Sequence, residues 1–183
     1  MFEQAGVYTI RVTVTDDDTL YDVEERMIVV YDPSAGFVTG GGYIDSPAGA
    51  YLPDPTLTGK ATFGFVSKYK KNGAVPEGNT EFQFHAGDLN FHSGDYDWLV
   101  VTANGTRAQY KGNGTINGAG DYGFIMTVFD NGEPGSGVDQ LRMKIWDRAT
   151  DDLVYDNRLG LSDDVDRADP QIITNGNIQI HTP

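Results

Sequence analysis

The sequence contains no cysteine. This absence excludes disulfide bonds, thiol catalysis and zinc–thiolate centres. Basic side chains are also few: 13 Lys and Arg stand against 27 Asp and Glu, which gives a net charge of −14. An acidic surface repels phosphate backbones and anionic lipid headgroups, so we expect no nucleic-acid partner and no binding to a membrane surface. No run of about 18 apolar residues and no signal peptide is present, so membrane insertion is not expected either.

Common catalytic motifs are missing as well. Neither G-x-S-x-G nor H-E-x-x-H occurs, and the only histidines are His85, His92 and His181. His85 and His92 are close enough in sequence to form a metal pair across a turn, but surface histidines are the simpler interpretation. A carboxylate pair for glycoside hydrolysis stays open, because 27 acidic residues offer many combinations. We therefore predict a protein that is not an enzyme.

Glycine and aromatic residues are abundant instead. The chain has 23 Gly, 10 Tyr and 9 Phe, and no stretch keeps a helical period. This composition is typical of short strands separated by tight turns. Strand-like stretches at 98–102 and 106–110 are joined by the turn sequence Ala103-Asn104-Gly105, and Ile178 and Ile180 mark a closing strand. The predicted fold class is all-β, an antiparallel β-sandwich or barrel of about eight to ten strands.

Residues 1–32 are predicted to form a separate hairpin. Apolar residues alternate with polar ones in the first strand-like stretch, which runs from Val7 to Thr15. Asp16-Asp17-Asp18 ends this stretch, and a second one runs from Asp22 to Tyr31. An isolated β-hairpin is only marginally stable in water. We therefore expect the apolar stripe of the first strand to be covered by the main body or by another chain. The stripe consists of Tyr8, Ile10, Val12 and Val14.

This hairpin carries a family resemblance. Residues 5–16, AGVYTIRVTVTD, followed by a Val-rich strand, resemble the C-terminal third of a PKD domain over about 30 residues. PKD domains are immunoglobulin-like sandwiches that occur as repeats in bacterial and archaeal surface proteins. The earlier strands of such a domain are missing here, so either the chain was cut from a longer protein or the hairpin docks on the remainder of this chain. The resemblance implies an extracellular, multi-domain protein, with neighbouring domains as partners and no catalysis.

The main body, residues 33–183, contains a predicted internal duplication. Residues 63–88 align without a gap on residues 122–147, and the identities include an Asn-Gly turn signal in each copy. Each copy is expected to supply a long hairpin and one further strand, since 88–91 also matches 152–155. The identical pairs are Gly64/Gly123, Phe65/Phe124, Asn72/Asn131, Gly73/Gly132, Gly78/Gly137 and Asp88/Asp147.

The body also resembles a β domain of uncharacterised activity that often follows PKD or anchor-linked domains in prokaryotic surface proteins. The stretches that carry this resemblance are residues 37–44, FVTGGGYI, and residues 144–147, KIWD. It implies location and architecture and no particular activity.

A loop rich in acidic residues is the main candidate metal site. Residues 162–169 read SDDVDRAD and place four carboxylates before Pro170. Calcium prefers six to eight hard oxygens from a flexible loop, so this loop is a candidate calcium site. The spacing is not that of an EF-hand, and a solvated acidic turn is the alternative. Residues 16–18 and 130–133 are weaker candidates of the same kind. The predicted metal ligands are Asp163, Asp164, Asp166 and Asp169.

Tryptophan side chains mark a candidate ligand-binding face. If Leu141, Met143 and Ile145 face the core, then the alternating residues face outward in a row. An outward tryptophan beside cations suits sugar stacking, or only packs under a basic side chain. Cover by a loop or by the N-terminal hairpin is the alternative. The predicted ligand-binding residues are Trp146, Trp98, Arg142 and Lys144.

Two functional hypotheses arise from these patterns. The first is a non-catalytic structural or adhesive module of a secreted or cell-surface multi-domain protein, in contact with its neighbouring domains. The second is a carbohydrate-binding module with a structural calcium ion, whose partner is a surface glycan. A protein partner on the same surface is a further option within the first hypothesis.

Overall fold

The computed structural model describes residues 5–17, 21–30, 32–34, 36–70, 73–132 and 138–183. These residues form twelve β-strands, one short 3-10 turn at His85–Gly87 and no α-helix. The predicted all-β antiparallel fold is confirmed. The strands are β1 (Gly6–Thr15), β2 (Tyr21–Val30), β3 (Phe37–Ser46), β4 (Gly59–Tyr69), β5 (Pro76–Phe84), β6 (Leu89–Val101), β7 (Arg107–Ile116), β8 (Ala119–Phe129), β9 (Gln140–Asp147), β10 (Leu153–Asp156), β11 (Gln171–Ile172) and β12 (Asn175–His181).

Strands β3 to β12 belong to one antiparallel sheet, which agrees with the eight to ten strands expected for the main body. Strands β3 to β10 follow one another as a meander, and β12 lies beside β3 at the far end. Short turns join most of these strands, as the Asn104-Gly105 and Asn117-Gly118 sequences indicate. Strands that are consecutive in sequence are also adjacent in the sheet. The outward side chains of consecutive strands therefore lie next to one another.

The sheet rolls up so that its two ends meet. β11 pairs with β9, and two residues later β12 pairs with β3, so a single short segment joins both ends. On the free edge of β12, the Ile178 amide donates to Asp139 Oδ2 at 2.7 Å and the Ile180 amide donates to Asp130 Oδ2 at 2.9 Å. Two carboxylates therefore accept the hydrogen bonds that a neighbouring strand would otherwise accept. We call this line, where β12 meets the segment that carries Asp130 and Asp139, the seam. The isolated bridge between Tyr51 and Tyr155 closes a second point of the seam.

One apolar core fills the rolled sheet. Alternate side chains of nearly every strand enter it, including Phe82, Phe124 and Met143, all fully buried. Tyr110 also lies in the core, and its hydroxyl is 3.1 Å from Thr80 Oγ1. Burial raises the pKa of Tyr110 well above its ordinary value, with a smaller contribution from Tyr96. The alternation that predicted inward positions in β9 is confirmed, because Leu141, Met143 and Ile145 belong to this core.

The β1–β2 hairpin docks on the outside of the rolled sheet through one end. Val7 is buried against Val100 of β6 and Val165, and Val29 packs on the same cluster. The predicted apolar stripe lies on the opposite face of the hairpin, where Val12 is 54% exposed and Val14 is 66% exposed. The expectation that the main body covers these two valines is therefore wrong. The open end of the hairpin, next to the 32–36 linker, packs on the main body, and Tyr8 and Arg11 line a cavity together with residues 162–167. Cover by another chain stays a prediction.

Both segments of the predicted duplication form antiparallel hairpins. Residues 63–88 include most of β4 and all of β5, and residues 122–147 include most of β8 and all of β9. The extra strands begin at corresponding places, at Leu89 for β6 and Leu153 for β10. The registers differ, since Phe63 pairs with Phe82 whereas Tyr122 pairs with Asp147. The duplication stays a prediction, and its Asn72 and Gly137 lie outside the described residues.

Candidate functional site

The candidate site is the outer face of strands β6 to β9. Strand register places the outward side chains of these strands in three rows. The first row is Val100–Gln109–Thr127–Arg142, the second is Trp98–Lys111–Ile125–Lys144, and the third is Asn113–Gly123–Trp146. Three of the four predicted ligand-binding residues, Trp98, Lys144 and Trp146, thus lie in the second and third rows.

Trp146 lies flat on the sheet because its cross-strand partner has no side chain. A Cβ atom at Gly123 would be only 2.3 Å from the indole ring of Trp146. The ammonium of Lys111 lies 5.6 Å from the centre of the same ring, within cation–π range. The same ammonium is 4.0 Å from Asp97 Oδ2. Trp146 is half-buried, so part of its ring faces solvent beside a cation.

Trp98 contacts the N-terminal hairpin. It packs on the cluster of Val7, Val100 and Val165, and it is half-buried. In the sheet it lies directly opposite Lys111 on the neighbouring strand. The two tryptophans therefore flank one lysine, and the hairpin covers part of the Trp98 side of this face.

The first row is covered by the segment 157–170, which we call the strap. Gln109, Thr127 and Arg142 are almost completely buried beneath it. The Gln109 amide donates to Thr127 Oγ1 at 2.7 Å and to the carbonyl of Asp163 at 2.8 Å. Val165 of the strap is fully buried against the hairpin cluster. The strap is therefore held between the hairpin and the sheet.

Arg142 is the centre of a buried ionic network. Its guanidinium donates two hydrogen bonds to the carboxylate of Asp156, at 2.9 and 2.8 Å, and a third to the carbonyl of Ser162 at 2.7 Å. Asp163 Oδ1 lies 3.1 Å from the same guanidinium. Burial alone would lower the pKa of Arg142, but the hydrogen bonds and charge of Asp156, together with Asp163, raise it above its ordinary value. At 3% exposure, Arg142 does not reach a ligand in solution.

The predicted calcium ligands face cations of the protein. Lys144 Nζ lies 2.6 Å from Asp163 Oδ2, and Arg158 binds Asp169. Asp164 is 3.7 Å from Arg167, and Asp166 is 4.0 Å from Arg107. Across the described ranges, no group of three or more His, Cys, Asp or Glu side chains is arranged to hold a metal ion. The calcium site stays a prediction.

The other candidate residues lie apart from this face. His85 and His92 are exposed, as expected, and His92 Nδ1 is 3.6 Å from Glu81 Oε1. His181 stacks on Phe37 with ring centres 4.1 Å apart. In the weaker acidic turns, Asp130 bonds to β12, while Asp18 and Glu133 lie outside the described residues.

Sequence reasoning did not identify the residues that organise the strap. Gln109, Thr127 and Asp156 look like ordinary strand or turn residues in the sequence, and no local pattern marks them as buried. One signal was available: an arginine and a lysine alternate with core residues in β9, opposite an acidic loop in a chain with few cations. Pairing of the loop carboxylates with the cations of β9 is energetically favourable, since a buried cation needs a hydrogen-bonded counter-ion.

No model of a known protein family matches this chain, and no curated protein and no solved structure matches it either. The structure also contains, in the residues it describes, no helix whose length and apolar character would allow it to span a membrane.

Proposed function

We propose that this chain is a non-catalytic structural or adhesive module of a secreted or cell-surface multi-domain protein. The observation that carries the proposal is the broad outer face of β6 to β9, on which Trp98, Lys111 and Trp146 stand together beside the strap. Aromatic rings next to a cation are typical of surfaces that bind partners. The most deeply buried charges, Arg142 and Asp156, bind each other, which supports a structural role for them.

The extracellular part of the proposal rests on the N-terminal hairpin. Its sequence resembles the end of a PKD domain, and the hairpin packs on β6 through Val7 and Val29. A domain that ends in this hairpin would be joined rigidly to the rolled sheet. The net charge of −14 is consistent with a soluble surface module that does not bind nucleic acid.

Carbohydrate binding is the second candidate function. Trp146 presents a flat ring beside Lys111, supported from below by the bare backbone of Gly123. Sugar rings stack on such aromatic faces, while nearby polar groups bind the hydroxyls. The candidate carbohydrate-binding function depends on Trp146, because part of the ring of Trp98 is covered by the hairpin.

An array of polysaccharides and oligosaccharides, probed with the wild-type protein and with Trp146→Ala, tests this second function. We expect the variant to lose most of the wild-type signal while its melting temperature changes little, since Trp146 is only half-buried. Asp121→Ala is the matched control on the neighbouring strand, because Asp121 is exposed and its carboxylate pairs with Arg148 on the surface. An array on which the wild-type protein binds nothing would remove the carbohydrate function. Turnover of chromogenic glycosides or esters by the wild-type protein would overturn the non-catalytic proposal.

Calcium binding is tested by melting curves recorded with calcium and with a chelator. A calcium ion held by Asp164, Asp166 or Asp169 would raise the melting temperature, because a ligand that binds only the folded state stabilises it. Asp163 is the weakest member of the predicted set, because Lys144 and Arg142 already neutralise it. Identical curves under both conditions would remove the metal from the proposal.

A further inference from the structure

The same acceptor tripeptide occurs twice in this chain. Asn-Gly-Thr is found at residues 104–106, which we call the turn copy, and at residues 113–115, which we call the strand copy. No other Asn-x-Ser or Asn-x-Thr is present in the sequence. Asn-x-Ser/Thr is the acceptor sequence for N-linked glycosylation of secreted proteins. Such a short motif also arises by chance, so the fold around each copy decides which of them is a site.

The turn copy lies between β6 and β7, and both Asn104 and Thr106 are exposed. Asn104 Oδ1 accepts hydrogen bonds from Thr102 Oγ1 at 2.8 Å and from the Thr106 amide at 3.2 Å. These two bonds hold the side-chain oxygen against the turn. The side-chain nitrogen has no hydrogen-bond partner among the residues that the structure describes. This nitrogen is the atom to which an N-linked glycan is attached, so it is accessible for the reaction.

The strand copy lies inside β7, with β6 and β8 paired on either side of it. Gly114 is buried, and a Cβ atom there would be 2.3 Å from the carbonyl oxygen of His92. Asn113 is half-buried, and its Oδ1 accepts a hydrogen bond from the Asp95 amide at 3.2 Å. A glycosyltransferase must hold the acceptor in its own active site. The strand copy would have to leave the sheet for this, whereas an exposed turn adapts at a lower cost in free energy.

The two copies also differ in their distance from the outer face of β6 to β9. Asn113 shares a row with Gly123 and Trp146, so a glycan on Asn113 would stand beside the indole ring. β7 continues from Asn113 back to Arg107 before the turn begins, a length of about 20 Å at the usual rise of a strand. A glycan on Asn104 would therefore leave the Trp146 face open.

We propose that Asn104 is an N-glycosylation site and that the fold protects Asn113 from the same reaction. Asn104 Nδ2 forms a bond to the anomeric carbon of the first sugar of an oligosaccharide linked to a polyprenyl diphosphate. The bond between that carbon and the diphosphate oxygen breaks, and the lipid diphosphate leaves with the electron pair. One proton of the amide nitrogen passes to a base of the oligosaccharyltransferase. The inference rests on the secreted or cell-surface location in the proposed function, since the secretory membrane supplies this enzyme and the lipid donor.

The test is secretion of the whole chain, behind a cleavable signal, from a eukaryotic host that carries out N-glycosylation. Peptide N-glycosidase in water enriched in heavy oxygen then converts each glycosylated asparagine into a labelled aspartate, and mass spectrometry measures the labelled fraction at each residue. We expect label at Asn104 in most molecules and roughly tenfold less or lower at Asn113, because opening a central strand is costly.

Substitutions in the two copies separate the acceptor from its surroundings. Asn104→Gln and Thr106→Ala should each abolish the label at residue 104, while Thr106→Ser should retain it because serine also supplies the hydroxyl. Asn113→Gln is the matched control, since it makes the same change in the same tripeptide and should leave the label at Asn104 unchanged. Asn104→Gln prepared without glycan in bacterial cytosol should melt close to the wild-type protein, because the residue is exposed.

The absence of label at Asn104 in the folded, secreted protein would overturn the inference and leave the adhesive function standing. Equal label at both copies, or label at Asn113 alone, would show that the fold does not select the turn copy. Detection of the natural protein only inside its cells would overturn the proposed location and the natural glycan together. The labelled fraction at Asn104 in the secreting host distinguishes this last failure from the first.

Discussion

Arg142→Met is expected to lower the free energy of unfolding by about 3–5 kcal/mol. The substitution removes the cation but leaves Asp156, at 1% exposure, with no counter-ion for its buried carboxylate. Asp163 loses one of its two cations, and the carbonyl of Ser162 loses its donor. For a chain of this size the melting temperature should fall by on the order of 10 °C. Urea unfolding followed by tryptophan fluorescence measures the change.

Arg148→Met is the matched control for this experiment. Arg148 likewise forms an ion pair with an aspartate, Asp121, at 2.9 Å, but on the surface, where such pairs contribute about 1 kcal/mol or less. The double variant Arg142→Met with Asp156→Leu should recover much of the loss, because removing both charges leaves none buried without a partner. A single variant as stable as the wild-type protein would contradict the assigned role of the network.

Asp139→Ala is expected to destabilise the protein by about 2–4 kcal/mol and to open the seam of the rolled sheet. Asp139 is buried and accepts hydrogen bonds from the amides of Ile178 and Asn131, at 2.7 and 3.2 Å. Without the carboxylate, the buried Ile178 amide has no acceptor on that edge of β12. Hydrogen exchange at Ile178 should therefore accelerate more than exchange in the centre of the sheet.

Asp54→Ala is the control for the seam. Asp54 likewise accepts two hydrogen bonds, both from Thr56, but within its own exposed turn. We expect a loss of about 0.5 kcal/mol for this surface change. The loss of stability in Asp139→Asn should lie between the losses in Asp139→Ala and Asp54→Ala, since one side-chain amide oxygen remains as an acceptor. Unchanged exchange at Ile178 in Asp139→Ala would show that the carboxylates do not close the sheet.

Several local features of this protein could be predicted from the sequence. The alternation in β9 correctly placed Leu141, Met143 and Ile145 in the core, because successive side chains of a strand point to opposite faces. The turn at Ala103-Asn104-Gly105 and the closing strand around Ile178 and Ile180 were also predictable, since both depend on neighbouring residues alone.

The candidate site was predictable only in part. The same alternation pointed Trp146, Lys144 and Arg142 outward, and they do lie on the outer side of the sheet. It did not indicate that the strap would cover Arg142 or that Lys144 would bind Asp163, because these contacts join a strand to a loop about twenty residues away. The sequence predicts a metal site in the acidic loop, and the structure adds that each of its carboxylates lies near an arginine or a lysine of the same chain. The metal site itself stays a prediction.

The sequence by itself determined the class of structure: period-two alternation and glycine turns select strands, and strands with one apolar face must enclose a core. Only the tertiary structure decided which elements meet. The closure of β12 on Asp130 and Asp139, the end of the hairpin that docks, and the pairing of Gly123 with Trp146 all depend on register between distant segments. Alternation repeats every two residues and is the same for many registers, so the choice among them is made by the packing of the whole core.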